Sequence, residues 1–170
     1  MKKTLFILIA ITFAMSTTSG QEGDGSLLKT GDTAPLFTAE TIDGKVIDLA
    51  KEKGKVIMLT FFATWCGPCN LELPVLEKNV WNKYRDNEDF VLVVLGREHD
   101  RETLKEFSAT KKLNLPFAPD IERKAFALYA DKNIPRNVII GRDGKIAYQS
   151  MGFDAEEFAK LEEKLASMLR

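Results

Sequence analysis

The sequence predicts an α/β domain with a central mixed sheet flanked by helices. The run Val56–Phe62 is almost continuously apolar, which is typical of a strand buried on both faces. Phe90–Leu95 predicts a second buried strand, and the segment between the two runs carries apolar residues at helical spacing. With 170 residues, of which 45% are hydrophobic, the chain can form one domain with its own core.

The first twenty residues have the pattern of a secretory signal peptide. Lys2 and Lys3 precede the apolar stretch Leu5–Met15, and small polar residues follow at Ser16–Gly20. This apolar stretch is too short to cross a bilayer core of about 30 Å as a helix. A cleaved signal over residues 1–20 is therefore favoured over an uncleaved membrane anchor, and we expect a periplasmic protein.

The segment 21–30 is polar and Gly-rich and predicts a flexible lead-in to a domain spanning 31–170. The whole chain has 24 basic and 25 acidic residues. Without residues 1–20, which hold two lysines and no acid, the balance becomes 22 against 25, a net charge of −3. Nothing in this balance indicates binding to nucleic acid or to an anionic membrane.

A β-hairpin is predicted before the first buried strand. Leu36–Thr41 and Lys45–Ile47 are strand-like and flank Asp43-Gly44, a strong turn signal. Leu49–Lys53 is predicted to form one helical turn. A second antiparallel pair is predicted late in the chain, where Asn137–Ile140 and Ile146–Gln149 flank the Arg142–Lys145 turn.

Four further segments complete the prediction. A helix follows the strand Val56–Phe62 and runs to about Tyr84, with a kink expected at Pro74. Its apolar stripe consists of Leu73, Leu76, Val80 and Tyr84. A helix over Arg101–Lys112, a loop over Leu113–Asp120 and a short helix over Ile121–Tyr129 come next. Asp154 and Glu157 form a capping signature for the last helix, whose Phe158, Leu161, Leu165 and Leu169 are expected to face the sheet.

The only two cysteines, Cys66 and Cys69, lie where the central strand ends and the helix begins. The first turn of a helix has unpaired N–H groups and a partial positive charge, so it favours a thiolate there. That dipole contributes about 0.3 to 2 kcal/mol, which lowers a thiol pKa of about 8.5 by about one unit. We therefore predict that Cys66 is an exposed, moderately acidic nucleophile.

Cys69 is expected one turn deeper, where its sulfur can reach Cys66 and release a bound partner. Pro68 suits the first helical turn, and Gly67 permits close approach of another backbone. A structural disulfide is the first alternative, but so short a loop would stabilise the fold by only about 2 kcal/mol. A zinc site is the second alternative, and two Cys with one His cannot complete four ligands.

The sequence Trp65-Cys66-Gly67-Pro68-Cys69 is identical to the thioredoxin active-site motif. With the preceding Phe-x-Ala-Thr and the following Glu72, it resembles the TlpA/ResA type of extracytoplasmic thiol–disulfide oxidoreductases. The resemblance extends from about Gly31 to the C-terminus. It implies a thioredoxin fold with an N-terminal β-hairpin and an inserted strand–helix element.

The resemblance also implies further site residues. Thioredoxins carry a buried acid six residues before the first cysteine, where this chain has Thr60. Glu72 matches a glutamate of the TlpA/ResA type, and we expect it to be partly desolvated and to accept the proton of Cys69. An exposed helix glutamate is the alternative.

A proline in these folds follows a cis bond and lies against the cysteines, and here the resemblance assigns that position to Pro135. The residues expected to bind substrate are Trp65, Gly67, Pro68, Ile134 and Pro135. Arg136 stands where these families often have Thr, and it could favour an acidic substrate segment. His99, the only histidine, lies in a charged stretch and is expected to be solvated.

Together these expectations describe an exported, monomeric thiol–disulfide oxidoreductase that needs no cofactor or metal. The resemblance implies protein substrates with disulfides or dithiols, a membrane thiol-electron donor, and apocytochrome c among the acceptors. The Gly67-Pro68 pair, as in reducing thioredoxins, favours a reductant. The alternative of another class is a redox-inert or copper-binding module that uses Cys66, Cys69 and His99.

Overall fold

The computed structural model describes residues 23–170, so the predicted signal peptide at 1–20 lies outside the described residues. Within this part of the chain, seven strands form a two-stranded and a five-stranded sheet. The strands are β1 (Thr38–Glu40), β2 (Val46–Asp48), β3 (Val56–Phe62), β4 (Phe90–Arg97), β5 (Phe117–Asp120), β6 (Arg136–Ile140) and β7 (Ile146–Met151). The helices are α1 (Gly67–Leu76), α2 (Asn82–Tyr84), α3 (Arg101–Lys111), α4 (Phe126–Tyr129) and α5 (Ala155–Met168).

The five-stranded sheet has the order β5-β4-β3-β6-β7, with β3 at its centre. β3 pairs in parallel with β4 and antiparallel with β6, so the sheet is mixed as predicted. All seven residues of β3 are buried, which explains its apolar sequence. β1 and β2 form the expected N-terminal hairpin.

Side chains of β3 alternate between two cores. Met58 and Phe62 pack in the cluster that includes residues of α1, α3 and α5. Leu59 and Phe61 pack on the other face, with residues of the hairpin and α4. The sheet is therefore covered on both faces, in agreement with the predicted thioredoxin-like architecture.

The helix after β3 is interrupted. Pro74 lies inside α1, and three residues later the chain winds as a π-helical segment, Glu77–Trp81, before α2. Pro74 has no N–H to donate within the helix, and proline and π-helical turns are both common sites of helix distortion. The predicted apolar stripe is buried at Leu73, Leu76 and Val80.

Three element predictions need correction. The predicted loop Leu113–Asp120 ends in a true strand, β5, which pairs in parallel with the edge of β4. Pro119 is compatible with this because β5 is an edge strand. The predicted helix Ile121–Tyr129 is shortened to α4, and Leu49–Lys53 forms turns rather than a helix.

The capping prediction for α5 is confirmed, since the Asp154 carboxylate accepts the backbone N–H groups of Glu156 and Glu157. Phe158, Leu161 and Leu165 are buried as expected. Leu169 lies past the end of the helix and is partly buried. None of the helices within residues 23–170 is long and apolar enough to span a bilayer.

The lead-in predicted to be flexible is bonded to the domain over much of its described part. Leu27 N–H donates to the carbonyl of Tyr129, and Asp131 N–H donates to the carbonyl of Gly25, at 3.0 Å each. We call residues 24–28 the N-terminal strap. The strap lies against the loop that leads to Ile134.

Candidate active site

Cys66 is the N-cap of α1, immediately after the loop that follows β3. Its backbone is extended, and its sulfur accepts the N–H of Cys69 at 3.2 Å. The capping position thus places Cys66 Sγ at the positive end of the helix, as the sequence predicts. Pro68 occupies the first turn, where its missing N–H leaves no bond unmade.

The two cysteines form a disulfide, and their Cα atoms are 5.3 Å apart. In this oxidised form Cys66 is only 5% exposed and Cys69 is fully buried. The prediction of an exposed Cys66 is therefore wrong for the oxidised protein, because Sγ is covered by its partner sulfur and by the loop at Ile134. Sγ of Cys66 lies 3.8 Å from the carbonyl oxygen of Ile134.

Asn70, which the sequence analysis did not predict, supports the segment between β3 and α1. Its side-chain amide donates to the backbone carbonyls of Thr64 and Cys66, both at 2.9 Å. These bonds join the backbone of residues 64–66 to the second turn of α1. The signal was present in the sequence as an Asn four residues after Cys66, within one helical turn.

Glu72 is 1% exposed and lies one turn after Cys69 on the buried side of α1. Burial raises the pKa of Glu72 to about 7, although a hydrogen bond from Asn137 partly opposes this effect. The alternative of an exposed helix glutamate is thus wrong. A carboxyl with such a pKa exchanges protons readily near neutral pH.

Asn137 and Thr60 complete a buried polar group around Glu72. The side-chain amide of Asn137 donates to Glu72 Oε1 at 3.1 Å, and its carbonyl oxygen accepts the Thr60 hydroxyl at 2.7 Å. Sequence reasoning assigned no role to Asn137 and noted Thr60 only as the missing acid. The signal was a polar residue inside each of two mostly apolar strands, Thr60 in β3 and Asn137 in β6.

The Ile134-Pro135 bond is cis, which confirms the prediction from the resemblance. The carbonyl of Pro135 accepts the N–H of Gly152. A shallow groove at this point is lined by Trp65, Cys66, Gly67, Pro68, Arg97, Asn133 and Ile134. The structure thus brings four of the five predicted substrate-binding residues together, and Pro135 follows Ile134 directly.

Trp65 projects from this groove and is 64% exposed. The guanidinium of Arg97 lies 5.6 Å from the centre of its ring and 5.2 Å from that of Phe126. Arg97, the last residue of β4, was not predicted as a site residue. An exposed aromatic ring beside a cation and a buried disulfide forms a surface suited to a polypeptide.

His99 is 9% exposed, so the prediction that it is solvated is wrong. Its Nε2 accepts the N–H of Thr64 at 2.9 Å, two residues before Cys66. Burial lowers the pKa of His99, and the carboxylates of Asp100 and Glu98 oppose this in part. Within residues 23–170 no group of three or more His, Cys, Asp or Glu side chains is placed to hold a metal ion.

Arg136 is fully buried, which rules out the predicted contact with an acidic substrate segment in this conformation. Its guanidinium donates to the hydroxyl of Ser26 at 2.5 Å and to the carbonyl of Asp24 at 2.6 Å. A longer bond reaches the carbonyl of Lys132 at 3.4 Å. Arg136 therefore joins the N-terminal strap to the loop before the cis-proline.

The fold and the paired cysteines define a thioredoxin-like enzyme of the thiol–disulfide oxidoreductase class, of the TlpA/ResA type. The family model described as Redoxin matches residues 29–165, and the chain belongs to that family. This match covers the sheet, α1 with its two cysteines, and most of α5.

Among curated relatives, the chain is similar to the thiol-disulfide oxidoreductase ResA of Bacillus thuringiensis (strain Al Hakam). The two are 29% identical over 155 residues, which is 90% of this chain and 88% of that protein. ResA of Bacillus thuringiensis subsp. konkukian is 30% identical over 138 residues, or 81% of this chain and 78% of that protein.

Among solved structures, the chain is similar to a candidate protein disulfide isomerase from Bacteroides thetaiotaomicron. The TM-score is 0.82 at 39% identity, covering 85% of this chain and 92% of that one. A candidate thiol:disulfide interchange protein DsbE from Chlorobium tepidum gives a TM-score of 0.74 at 29% identity, covering 84% and 99%.

Proposed function

We propose that this protein is an exported reductant of protein disulfides, with Cys66 as nucleophile and Cys69 as resolving thiol. The observation that carries the proposal is the position of the two sulfurs on α1. Cys66 caps the helix beside the groove, whereas Cys69 is fully buried one turn further along. An incoming disulfide can therefore meet Cys66 first, and Cys69 is kept from other partners.

In the first step, the Cys66 thiolate attacks one sulfur of a substrate disulfide. A bond forms between Cys66 Sγ and that sulfur, the substrate S–S bond breaks, and the other substrate sulfur leaves as a thiolate. In the second step, Cys69 attacks Cys66 Sγ. The Cys66–Cys69 disulfide forms, and the remaining substrate sulfur leaves, so two electrons have passed from enzyme to substrate.

Glu72 is proposed to accept the proton that Cys69 loses in the second step. Cys69 and Glu72 share the buried side of α1 and lie one turn apart. With a pKa of about 7, Glu72 is part ionised at neutral pH and can take up a proton there. Its proton returns when the enzyme is reduced again.

The groove is proposed to hold an extended segment of the substrate. Ile134 presents its carbonyl beside Cys66 Sγ, and the exposed ring of Trp65 offers an apolar wall. Gly67 and Pro68 add no charge to the surface, and Pro135 shapes the loop that carries Ile134. A segment bound along this loop would bring its disulfide to Cys66.

The proposed direction of electron transfer and the proposed location are supported by the sequence and the resemblance, and not by the geometry of the site. The Gly67-Pro68 pair supports a reductant, and the apolar stretch Leu5–Met15 supports export to the periplasm. A reductant outside the cytoplasm needs a supply of electrons, for which we propose a membrane thiol donor. The substrates proposed are oxidised proteins, apocytochrome c among them, and the enzyme is proposed to act as a monomer without cofactor or metal.

A redox titration tests the proposed chemistry. The protein without residues 1–20 would be equilibrated in glutathione buffers while the fluorescence of Trp65 is followed. We expect one reversible two-electron transition, which the Cys66→Ser variant lacks. A disulfide that stays closed in ordinary dithiols would instead indicate a structural bridge, and tight binding of copper(I) would support the carrier alternative.

A trapping experiment tests the direction and the substrate class. Cys69→Ser removes the resolving thiol, so a substrate should remain covalently attached to Cys66 in periplasmic extracts. The double variant Cys66→Ser/Cys69→Ser is the matched control and should hold nothing. Absence of dithiothreitol-sensitive adducts on Cys69→Ser would contradict a role as reductant.

A further inference from the structure

Thr60 and Asn137 are direct neighbours on the two central strands of the sheet. The register of β3 and β6 pairs their Cα positions, and both side chains are fully buried. Glu72 reaches the same point from α1. The sheet and the active-site helix thus meet through three polar side chains inside an otherwise apolar core.

The hydrogen bonds in this group have a direction. The Thr60 hydroxyl donates to the side-chain oxygen of Asn137, which leaves the amide N–H₂ of Asn137 to face Glu72. An ionised carboxylate can only accept, so this orientation of the amide suits the carboxylate form of Glu72. The hydroxyl of Ser150 is also in reach of the amide, but at 3.5 Å it is a weak partner.

The two carboxyl oxygens of Glu72 are not equivalent. Oε1 accepts the Asn137 amide at 3.1 Å, whereas Oε2 is buried and has no hydrogen-bond partner among residues 23–170. A buried carboxylate oxygen without a donor is costly, and a proton on that oxygen reduces the cost. The proton of Glu72 is therefore favoured on Oε2.

From this arrangement we propose that Asn137, oriented by Thr60, is a positioning residue that holds Glu72 Oε1 and leaves Oε2 as the oxygen that exchanges a proton with Cys69. The inference rests on the proposed role of Glu72 in the resolving step. It adds that the ionisation of Glu72 is set by the sheet as well as by burial. The same Asn137 bond lowers the pKa of Glu72 against the effect of burial.

Asn137→Ala is the main test. The reduced variant would be mixed with one equivalent of the chromogenic aryl disulfide DTNB, which releases one coloured thiolate at attack and a second at resolution. Loss of the amide destabilises the ionised form of Glu72, so the pH at which resolution is half-maximal should rise by about one unit. Below that pH, resolution should be about tenfold slower, while the attack step by Cys66 is unchanged.

Two further variants separate positioning from general disruption. Thr60→Val keeps the shape of the side chain and removes the hydroxyl, so it should shift the pH profile in the same direction by a smaller amount. Ser150→Ala is the matched control, because it removes only the 3.5 Å contact and should leave the profile unchanged. Should Asn137→Ala fail to fold, Thr60→Val still decides the matter through NMR titration of the Glu72 carboxyl carbon.

The outcomes distinguish this inference from the function on which it rests. Glu72→Gln resolving at the wild-type rate would overturn the role of Glu72 itself. A second outcome is that Glu72→Gln resolves slowly but Asn137→Ala keeps the wild-type pH profile. This outcome would overturn only the positioning role, and Thr60→Val provides the same test if Asn137→Ala fails to fold. If Asn137 acts through Glu72, the double variant Asn137→Ala/Glu72→Gln should be no slower than Glu72→Gln alone.

Discussion

Ionisation of Glu72 should destabilise the wild-type protein as the pH rises from about 4.5 to about 7, and replacing Glu72 with glutamine should abolish this effect. Glu72 is 1% exposed, and burial raises its pKa from an ordinary value of 4.5 to about 7. Between those two pH values the unfolded chain releases this proton and the folded chain retains it. The folded state therefore loses stability as the pH rises through that window.

The size of the effect follows from the shift. Each pKa unit corresponds to about 1.4 kcal/mol, so a rise from 4.5 to about 7 makes the ionised form of Glu72 unfavourable by about 3 kcal/mol. The stabilising contribution is complete below pH 4.5 and is lost as the pH reaches about 7. Glutamine carries no charge, so its variant should lack this slope.

Glutamine can keep the bond to the Asn137 amide, because its side-chain oxygen can take the place of Glu72 Oε1. Its N–H₂ group would then take the place of Oε2, where the described residues offer no hydrogen-bond partner. This unpaired group should lower the stability of the variant by about 1 to 3 kcal/mol. This cost is the same at every pH. The diagnostic quantity is therefore the pH dependence of the difference in stability, and not its value at one pH.

The assay is urea unfolding of the oxidised wild type and Glu72→Gln at pH values from about 4 to about 8. The variant should gain about 3 kcal/mol relative to wild type across that range. Burial also lowers the pKa of His99, but this effect is present in both proteins and cancels in the difference. Glu88→Gln, at an exposed position, is the matched control. Parallel curves for wild type and Glu72→Gln would refute the reasoning.

Three further predictions concern contacts around the site. Arg136→Leu removes the buried guanidinium that binds the N-terminal strap. The free energy of unfolding measured in urea titrations should therefore fall by about 1.5 to 3 kcal/mol, and trypsin should cleave near the strap sooner. A strap as resistant to trypsin as that of the wild type would contradict this. Because burial lowers the pKa of His99 below its ordinary 6.5, the unfolded chain takes up that proton first. The contribution of His99 to stability is therefore lost as the pH drops below 6.5, which is opposite in sign to the contribution of Glu72. His99→Phe should lack this acid sensitivity in urea unfolding, and it also loses the bond to Thr64. An unchanged dependence of stability on acid pH would show that another group causes it. A Cβ on Gly96 would lie 2.5 Å from Cδ2 of the buried Leu104. Gly96→Ala should therefore destabilise the fold by about 1 to 3 kcal/mol in the same assay, and a variant as stable as the wild type would show that Leu104 can move aside.

Much of the fold could be predicted because its signals are local. The apolar run of β3 indicates burial on both faces, and the Asp43-Gly44 turn indicates the hairpin, each within a few residues. The strand β5 was missed because Pro116 precedes it and Pro119 lies inside it. Its edge position, which tolerates proline, is a property of the sheet. The length of α4 was wrong for a similar reason: the buried carboxylate of Asp120 binds the N–H groups of Ala125 and Phe126 and sets where that helix begins.

The candidate site divides in the same way. Cys66 at the start of α1 and Cys69 behind it follow from helix geometry and from spacing alone. Glu72 was predicted through a resemblance, but its burial depends on the sheet above α1. The contacts of Asn137 with Glu72 and with Thr60 span 65 and 77 positions in the chain. No periodicity within one segment can predict such contacts.

By itself, the amino-acid sequence determined the class of fold, the place of the disulfide at the start of a helix, and the chemistry that two thiols at that spacing can perform. These properties depend on backbone geometry and on neighbours within one or two turns. Only the tertiary structure decided that His99 is buried beneath the active-site loop, that Arg136 binds the strap and faces no substrate, and that two strands supply the partners of the buried acid. The reason is physical: the burial and pairing of a polar side chain depend on which distant surfaces pack against it, and packing is a property of the whole fold.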